Sequence, residues 1–203
     1  MRKQVILFMV LLFIPLINAA QNTEQLDFIS PFSDGVAAIK KGNQWAFIDT
    51  DGELILDFRT DLVLTETGRT SYPIFNSNRC LIIKNKAGIP YYGYIDKTGK
   101  TVIEPQFLNA RPFNENKAIA LELVKEDLGK NEILNKEVYQ YKYFEVVIDS
   151  DGKIKTYLTG PVYIGLSASN LRKPPVISST FISENLIATR SKDKKWKIKM
   201  LNK

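Results

Sequence analysis

Histidine is absent from this chain of 203 residues, and cysteine occurs once. Without imidazole there is no Ser–His–Asp or Cys–His catalytic arrangement. One thiol and carboxylates alone make a poor donor set for zinc. Cys80 stands in the apolar run Cys80-Leu81-Ile82-Ile83, which predicts a buried, inert thiol. A single cysteine also forbids an intrachain disulfide, so stability must come from the core. Gly129-Lys130-Asn131 lacks the upstream glycine and the Ser or Thr of a phosphate-cradling loop. No apolar run reaches the roughly 20 residues that a membrane-crossing helix needs. With 28 basic and 22 acidic residues the formal charge is +6, too mild to indicate a general nucleic-acid surface.

The first segment has its own character. Arg2 and Lys3 precede an apolar run from Val5 to Ile17, broken only by Pro15, and Asn18-Ala19-Ala20 follows. A basic start, an apolar middle of 13 residues and small residues for cleavage read as a secretory signal peptide, residues 1–20. No cysteine follows the run, which argues against a lipid anchor there. Residues 21–203 then suit one domain, or an array of repeats behaving as one.

What the chain does have is one short pattern used three times. Asp49-Thr50-Asp51-Gly52, Asp96-Lys97-Thr98-Gly99 and Asp149-Ser150-Asp151-Gly152 each follow an isoleucine and each lead into a new extended run. A hairpin loop built on a type I turn needs a residue of positive φ at its end, which glycine supplies without steric cost. Aspartate at the first position bonds amides within the turn. The flanking strands alternate: Val36-Ala37-Ala38-Ile39 and Trp45-Ala46-Phe47-Ile48 in the first unit, Cys80 to Ile83 and Tyr92-Gly93-Tyr94-Ile95 in the second.

The expected units are about 28–58, 75–107, 107–157 and 177–201, opened by Phe32, Phe75, Phe113 and Phe181. The third is interrupted by a charged stretch, Lys125 to Lys136, read as an insertion with a short helix around Glu132 to Val138. A lone three-stranded meander is only marginally stable, so neighbouring units must share a core. The predicted fold is all-β: three to four consecutive antiparallel β-meander repeats in an open twisted array. Propeller-like partial closure is the alternative.

The segment Tyr92-Gly93-Tyr94-Ile95-Asp96-Lys97-Thr98-Gly99-Lys100-Thr101-Val102-Ile103-Glu104-Pro105-Gln106-Phe107 resembles the WG (KWG) repeat. The name-giving pair stands as Trp45-Ala46, Tyr92-Gly93 and Trp196-Lys197, so the repeats are degenerate. The resemblance implies an exported or surface-associated bacterial protein with no assigned general chemistry.

Calcium is the first chemistry to weigh. Asp49-x-Asp51-Gly52 and Asp149-x-Asp151-Gly152 look like pieces of a calcium loop, but the twelfth positions are Thr60 and Gly160 rather than glutamate. The middle copy has Lys97-Thr98 where a second carboxylate would stand, so turn chemistry explains all three. Glu122, Glu126, Asp127 and Glu145 offer carboxylates for a glycan-active enzyme, which would need two of them correctly spaced in three dimensions. Tyr91, Tyr92 and Tyr94 cluster, as do Tyr139, Tyr141 and Tyr143. Half of each cluster should face outward, where tyrosine can stack on sugar rings or a peptide. In the last strand Trp196, Ile198 and Met200 share one side, and Lys195, Lys197 and Lys199 share the other. The lysines form either a basic stripe for an anionic surface or the guard of an edge strand.

The functional expectation is therefore an exported, non-enzymatic module at a bacterial cell envelope, binding a protein or a glycan. Tyr91, Tyr141, Lys195, Lys197 and Lys199 are its candidate surface. No catalytic residue, metal site or cofactor is expected. Neither is nucleic acid, nor membrane contact beyond the signal peptide, and the oligomeric state is left open. A carboxylate-dependent enzyme and a purely structural spacer are the alternatives.

Overall fold

The computed structural model describes residues 25–191 and 193–201; the expected signal peptide, Lys192 and Lys203 lie outside them. The described chain is all-β, with no helix, and none of its sheets closes into a barrel.

Four sheets follow one another along the sequence. The first has the order β1 (Phe28–Ile29), β2 (Ala37–Lys41), β3 (Gln44–Ile48), β4 (Leu54–Arg59). A two-stranded hairpin, β5 (Thr65–Thr67) and β6 (Thr70–Tyr72), leads to the second sheet. That sheet contains β7 (Phe75–Asn76), β8 (Arg79–Lys86), β9 (Ile89–Ile95) and β10 (Thr101–Phe107). The third contains β11 (Lys117–Asn131), β12 (Lys136–Asp149) and β13 (Ile154–Tyr157), with β14 (Val162–Ile164) also paired to β12. The fourth is β15 (Thr180–Ser183), β16 (Leu186–Arg190) and β17 (Trp196–Met200). All ladders are antiparallel, and each sheet is a meander in chain order.

One expectation fails. Lys125 to Lys136 lies within the first hairpin of the third unit, as expected of an insertion there, but it is not helical. It extends β11 and β12 into a long hairpin in continuous register through Asp127↔Tyr139, resumed after a bulge at Lys130↔Glu137. The charged residues are legible as cross-strand neighbours once paired. Lys142 Nζ lies 2.9 Å from Glu126 Oε2, and the Lys125 ammonium sits over the Tyr139 ring. Cross-strand pairs of this kind support a hairpin where a helical reading sees only a run of charge.

The three Ile-Asp-x-x-Gly turns are geometrically alike. Gly52, Gly99 and Gly152 have φ of 81°, 83° and 80°. Each donates its N–H to the carbonyl of its own aspartate, at 2.9–3.1 Å. Oδ1 of Asp49, Asp96 and Asp149 accepts two backbone N–H bonds in each case. The first aspartate of each turn is thus engaged by the turn's own amides, as turn chemistry expects. Among the described residues no group of three or more Cys, Asp or Glu side chains could hold a metal ion.

A second turn opens the first three units. Asp34-Gly35, Ser77-Asn78 and Glu115-Asn116 all have positive φ at both central residues, the type I′ signature. These turns touch in sequence. Asn78 N–H donates to Asp34 Oδ2 at 2.7 Å, Asn116 N–H to Ser77 Oγ at 3.1 Å, and Lys117 Nζ to the Glu184 carbonyl at 3.2 Å. The units therefore stack in register, with their opening turns in a row.

Stacking explains the core. One cluster joins units one and two through Trp45, Phe47, Leu56, Phe75, Ile82 and Ile95. The next joins units two and three through Tyr92, Tyr94, Ile103, Phe113, Val146 and Ile148. The last joins units three and four through Ile119, Leu121, Val147, Leu171, Ile187 and Leu201. Each middle sheet is buried on both sides, a rear face toward the preceding unit and a forward face toward the next. In β11, Ala118 and Ala120 face rearward while Ile119 and Leu121 face forward. Continuous apolar runs such as Ala-Ile-Ala-Leu are the sequence form of a sheet covered on both faces. Cys80 lies in the first cluster, and burial pushes its thiol well above the ordinary range.

Candidate interaction surface

Tyr91 and Tyr141 come from different units, yet the fold brings them together. Tyr91 stands on β9, half-buried, with Lys86 Nζ 5.2 Å from its ring centroid. Burial, and then the Tyr141 phenol nearby, push the Tyr91 phenol upward. Tyr141 stands on β12 between Tyr139 and Tyr143, and alternation puts all three on one side of the strand. Strand β14 pairs alongside: Ile164 lies opposite Tyr141 on the tyrosine side, whereas Tyr163 lies opposite Lys142, on the other side of the sheet. Tyr139, Tyr141, Tyr163 and Leu166 line a shallow depression of about 480 Å³. Tyr139 and Tyr163 are exposed there. Tyr163 was not singled out from the sequence. The short run Val162-Tyr163-Ile164 between Pro161 and Gly165 is the signal that marks its strand.

The lysines end up differently from the tyrosines. Lys195 closes the turn before β17, and its carbonyl accepts the Ser191 N–H at 2.9 Å. Lys197 and Lys199 pair with Thr189 and Ile187, and Ile187 is fully buried in the junction with unit three. The lysines therefore lean back over the body while staying exposed. Lys199 Nζ donates to the Tyr157 carbonyl at 2.5 Å. Lys197 lines a cavity of about 550 Å³ at the junction of units three and four, with Glu145, Leu158, Ser178 and Arg190. The apolar side of β17 points the other way, outward. Trp196, Ile198 and Met200 are 57%, 69% and 69% exposed. The lysine side of β17 thus leans over the third repeat, and its apolar side is open.

The four acids form no facing pair. Glu145 lies opposite Leu121 and Glu122 opposite Phe144, which puts the two carboxylates on opposite sides of the sheet. Glu145 is buried and fully engaged. Its Oε1 accepts from Ser178 N–H at 2.8 Å and Ser178 Oγ at 2.7 Å, and its Oε2 accepts from Ser179 N–H at 3.0 Å. Glu126 is paired with Lys142, and Asp127 accepts the Gly129 N–H in the hairpin. Glu122 stands beside Tyr157 and pushes that phenol upward.

Residues 25–45 and 92–122 both match the WG containing repeat family, together about a quarter of the chain. The chain carries WG repeats. No curated protein and no solved structure matches it. Aligned on the repeat, the tryptophan position holds Trp45, Tyr92, Glu145 and Trp196 in the four units. The first three are buried and face the following unit. The third WG repeat has thus replaced an aromatic anchor with a carboxylate that grips Ser178 and Ser179 through hydrogen bonds. The glycine of the second repeat answers to close packing. A Cβ on Gly93 would lie 2.4 Å from the Ile103 carbonyl oxygen, so the β10 backbone crosses directly over it.

Proposed function

We propose that this WG-repeat protein is exported and serves, without catalysis, as a binding module at a bacterial cell envelope. The observation that carries the reading is the convergence of Tyr91 with Tyr139 and Tyr141. They form one aromatic surface assembled from two repeats, with Lys86 and Lys125 at its edges. Half-exposed phenols combine an apolar ring with a polar tip, and they stack on sugar rings or on extended peptide at low entropic cost. A glycan of the envelope suits a shallow, polar-edged depression of this kind. The basic amino-terminal segment with its apolar run and Asn18-Ala19-Ala20 supports export.

The test uses residues 21–203 and purified peptidoglycan together with a panel of soluble oligosaccharides. Wild type should be retained, and Tyr139→Ala and Tyr141→Ala should each weaken retention about three- to tenfold, the worth of one stacked ring. Retention of both variants at the wild-type level, or no binding to any glycan, would leave the protein-partner or spacer reading instead. Export is checked by fusing residues 1–30 to a reporter active only outside the cytoplasm. An inactive, uncleaved fusion would remove the envelope from the proposal.

A further inference from the structure

The tyrosine side of β12 does not stop at Tyr141. Its next two members are Tyr143 and Glu145, and both line the cavity of about 550 Å³ between the third and fourth repeats. One ladder carries both depressions. Tyr141 and its partner Ile164 line the shallow tyrosine depression. Tyr143 and its partner Val162 stand one step further along and line the cavity. That step of two residues is about 7 Å. Exposure falls along the row: Tyr139 is exposed, Tyr141 and Tyr143 are half-buried, and Glu145 is buried. A surface platform thus runs into a pocket, and the pocket ends there. Val147, Ser179 and Ile187 lie just beyond the lining residues Glu145, Ser178 and Thr189, and all three are fully buried.

The polar groups of the pocket suit hydroxyls. Glu145 Oε2 accepts the Ser179 N–H, and a carboxylate oxygen has room for a second bond. The Thr159 oxygen accepts the Glu145 N–H, which leaves its own proton to donate. The Ser178 hydroxyl donates to Glu145 and can still accept. Thr189 and its cross-strand partner Lys197 add a hydroxyl and an ammonium from the fourth repeat. Leu158, Pro161, Val162 and Val176 form the apolar wall. The charges balance. Glu145 and Lys197 have opposite signs, and the Arg190 guanidinium turns away over the Trp196 ring. Mixed donors and acceptors against an apolar wall, with no excess charge, match an uncharged sugar residue, and the volume lies in the range of small-molecule sites.

We infer that this pocket holds the terminal, uncharged sugar of a glycan chain laid along the tyrosines, so that the protein binds chain ends rather than chain interiors. The inference rests on the glycan reading proposed for the tyrosine surface and names the part of the glycan that is read. A pocket closed at its inner end admits a terminus and lets no chain pass through. The site belongs to the third repeat for a reason visible in the repeat itself. Trp45 and Tyr92 fill the corresponding position in the first two repeats with rings buried in their junctions. Glu145 is smaller than either ring, and the cavity lies beside it.

The probes are purified peptidoglycan and the tetrasaccharides of chitin, cellulose, amylose and polygalacturonate, each with its parent polymer, titrated into residues 21–203. Among the tetrasaccharides a neutral one should bind more tightly than tetragalacturonate, and its affinity should stay nearly flat between about 50 and 500 mM salt. Val162→Trp fills the pocket from an edge strand. It should weaken binding at least about tenfold, with an unchanged thermal midpoint. Wild type alone supplies the second measurement. Cutting a fixed mass of the bound polymer into shorter chains should raise the protein bound at saturation in proportion to the new ends. Capacity that follows mass instead of ends, or a folded Val162→Trp that binds like wild type, would overturn the inference and leave the glycan reading standing. A preference for tetragalacturonate would overturn the uncharged sugar. Binding to none of the probes would overturn both the inference and the glycan reading.

Discussion

The fourth repeat has counterparts of three of the second repeat's four strands, β15, β16 and β17 answering to β7, β8 and β9, and the two spend their apolar residues differently. In the second, Tyr92 and Tyr94 are buried under the third sheet, and the Tyr94 hydroxyl donates to the Arg111 carbonyl at 2.7 Å. In the fourth, Trp196 and Ile198 hold the corresponding positions and face solvent. The second repeat also uses its Ile-Asp-x-x-Gly turn to meet a neighbour. Gly99 combines positive φ with contact: a Cβ there would come within 2.7 Å of Leu56 Cδ1 in the preceding repeat. In the fourth repeat a turn of the same bond pattern stands at a different place, between β16 and β17, with Ser191 N–H donating to the Lys195 carbonyl and Lys194 N–H to the Ser191 carbonyl. Its left-handed position is held by Lys194, φ 64°, where a glycine would be easier. A repeat position carries its full energetic weight only when a neighbour lies on both sides of it.

The largest test of that contrast is truncation at one repeat position. Phe47→Ala should cost about 3–5 kcal/mol in denaturant unfolding. Ile198→Ala should stay within about 0.5 kcal/mol. Next is the repeat that lost its aromatic. Glu145→Ala strands the Ser178 and Ser179 donors in a buried junction and should cost about 3 kcal/mol, with Glu145→Gln recovering part of it. A comparable loss from both would mean that charge, rather than hydrogen bonding, holds the segment.

The turns give smaller effects. Gly152→Ala meets Ile103 Cγ2 at 2.9 Å in addition to its backbone strain, whereas Gly52→Ala meets nothing within 4 Å. Gly152→Ala and Gly99→Ala should therefore each cost about 1–3 kcal/mol more than Gly52→Ala. Equal costs at the three turns would deny the close stacking of repeats. Lys194→Gly should stabilise by about 0.5–1 kcal/mol by relieving a left-handed lysine.

The smallest effect is one of pH. The Thr98 hydroxyl and the turn amides hold the Asp96 carboxyl below the usual range. A depressed folded value means that its stabilisation is complete above the unfolded pKa, about 3.9, and disappears as pH falls through the lower folded value. The stability difference between wild type and Asp96→Asn should thus shrink on acidification below about pH 4. A difference that grows there would reverse the sign assigned to Asp96.

Much of this was legible in the chain itself. Asp-x-x-Gly after isoleucine announces a turn because the turn's own amides and glycine's φ satisfy it, whatever surrounds it. The units and the exclusion of imidazole chemistry follow from residues alone. The long hairpin was not legible. Lys125 to Lys136 has no apolar alternation of its own, and its strand identity comes from pairing with residues 136–142. The adjacency of Tyr91 and Tyr141 depends on stacking of units 50 positions apart. The hold of Ser178 and Ser179 on Glu145 likewise spans more than 30 positions.

The last strand shows the division most plainly. Alternation in Trp196-Lys197-Ile198-Lys199-Met200 determines that three apolar side chains share one face and the lysines the other, because a strand has a period of two. Which of those faces is covered was decided only by the tertiary structure. Ile187 and Leu201 bind the lysine side to the third repeat, and the apolar side is left where a further sheet would stack. Local pattern fixes relative direction along a strand, while burial depends on which neighbours the stacked array supplies.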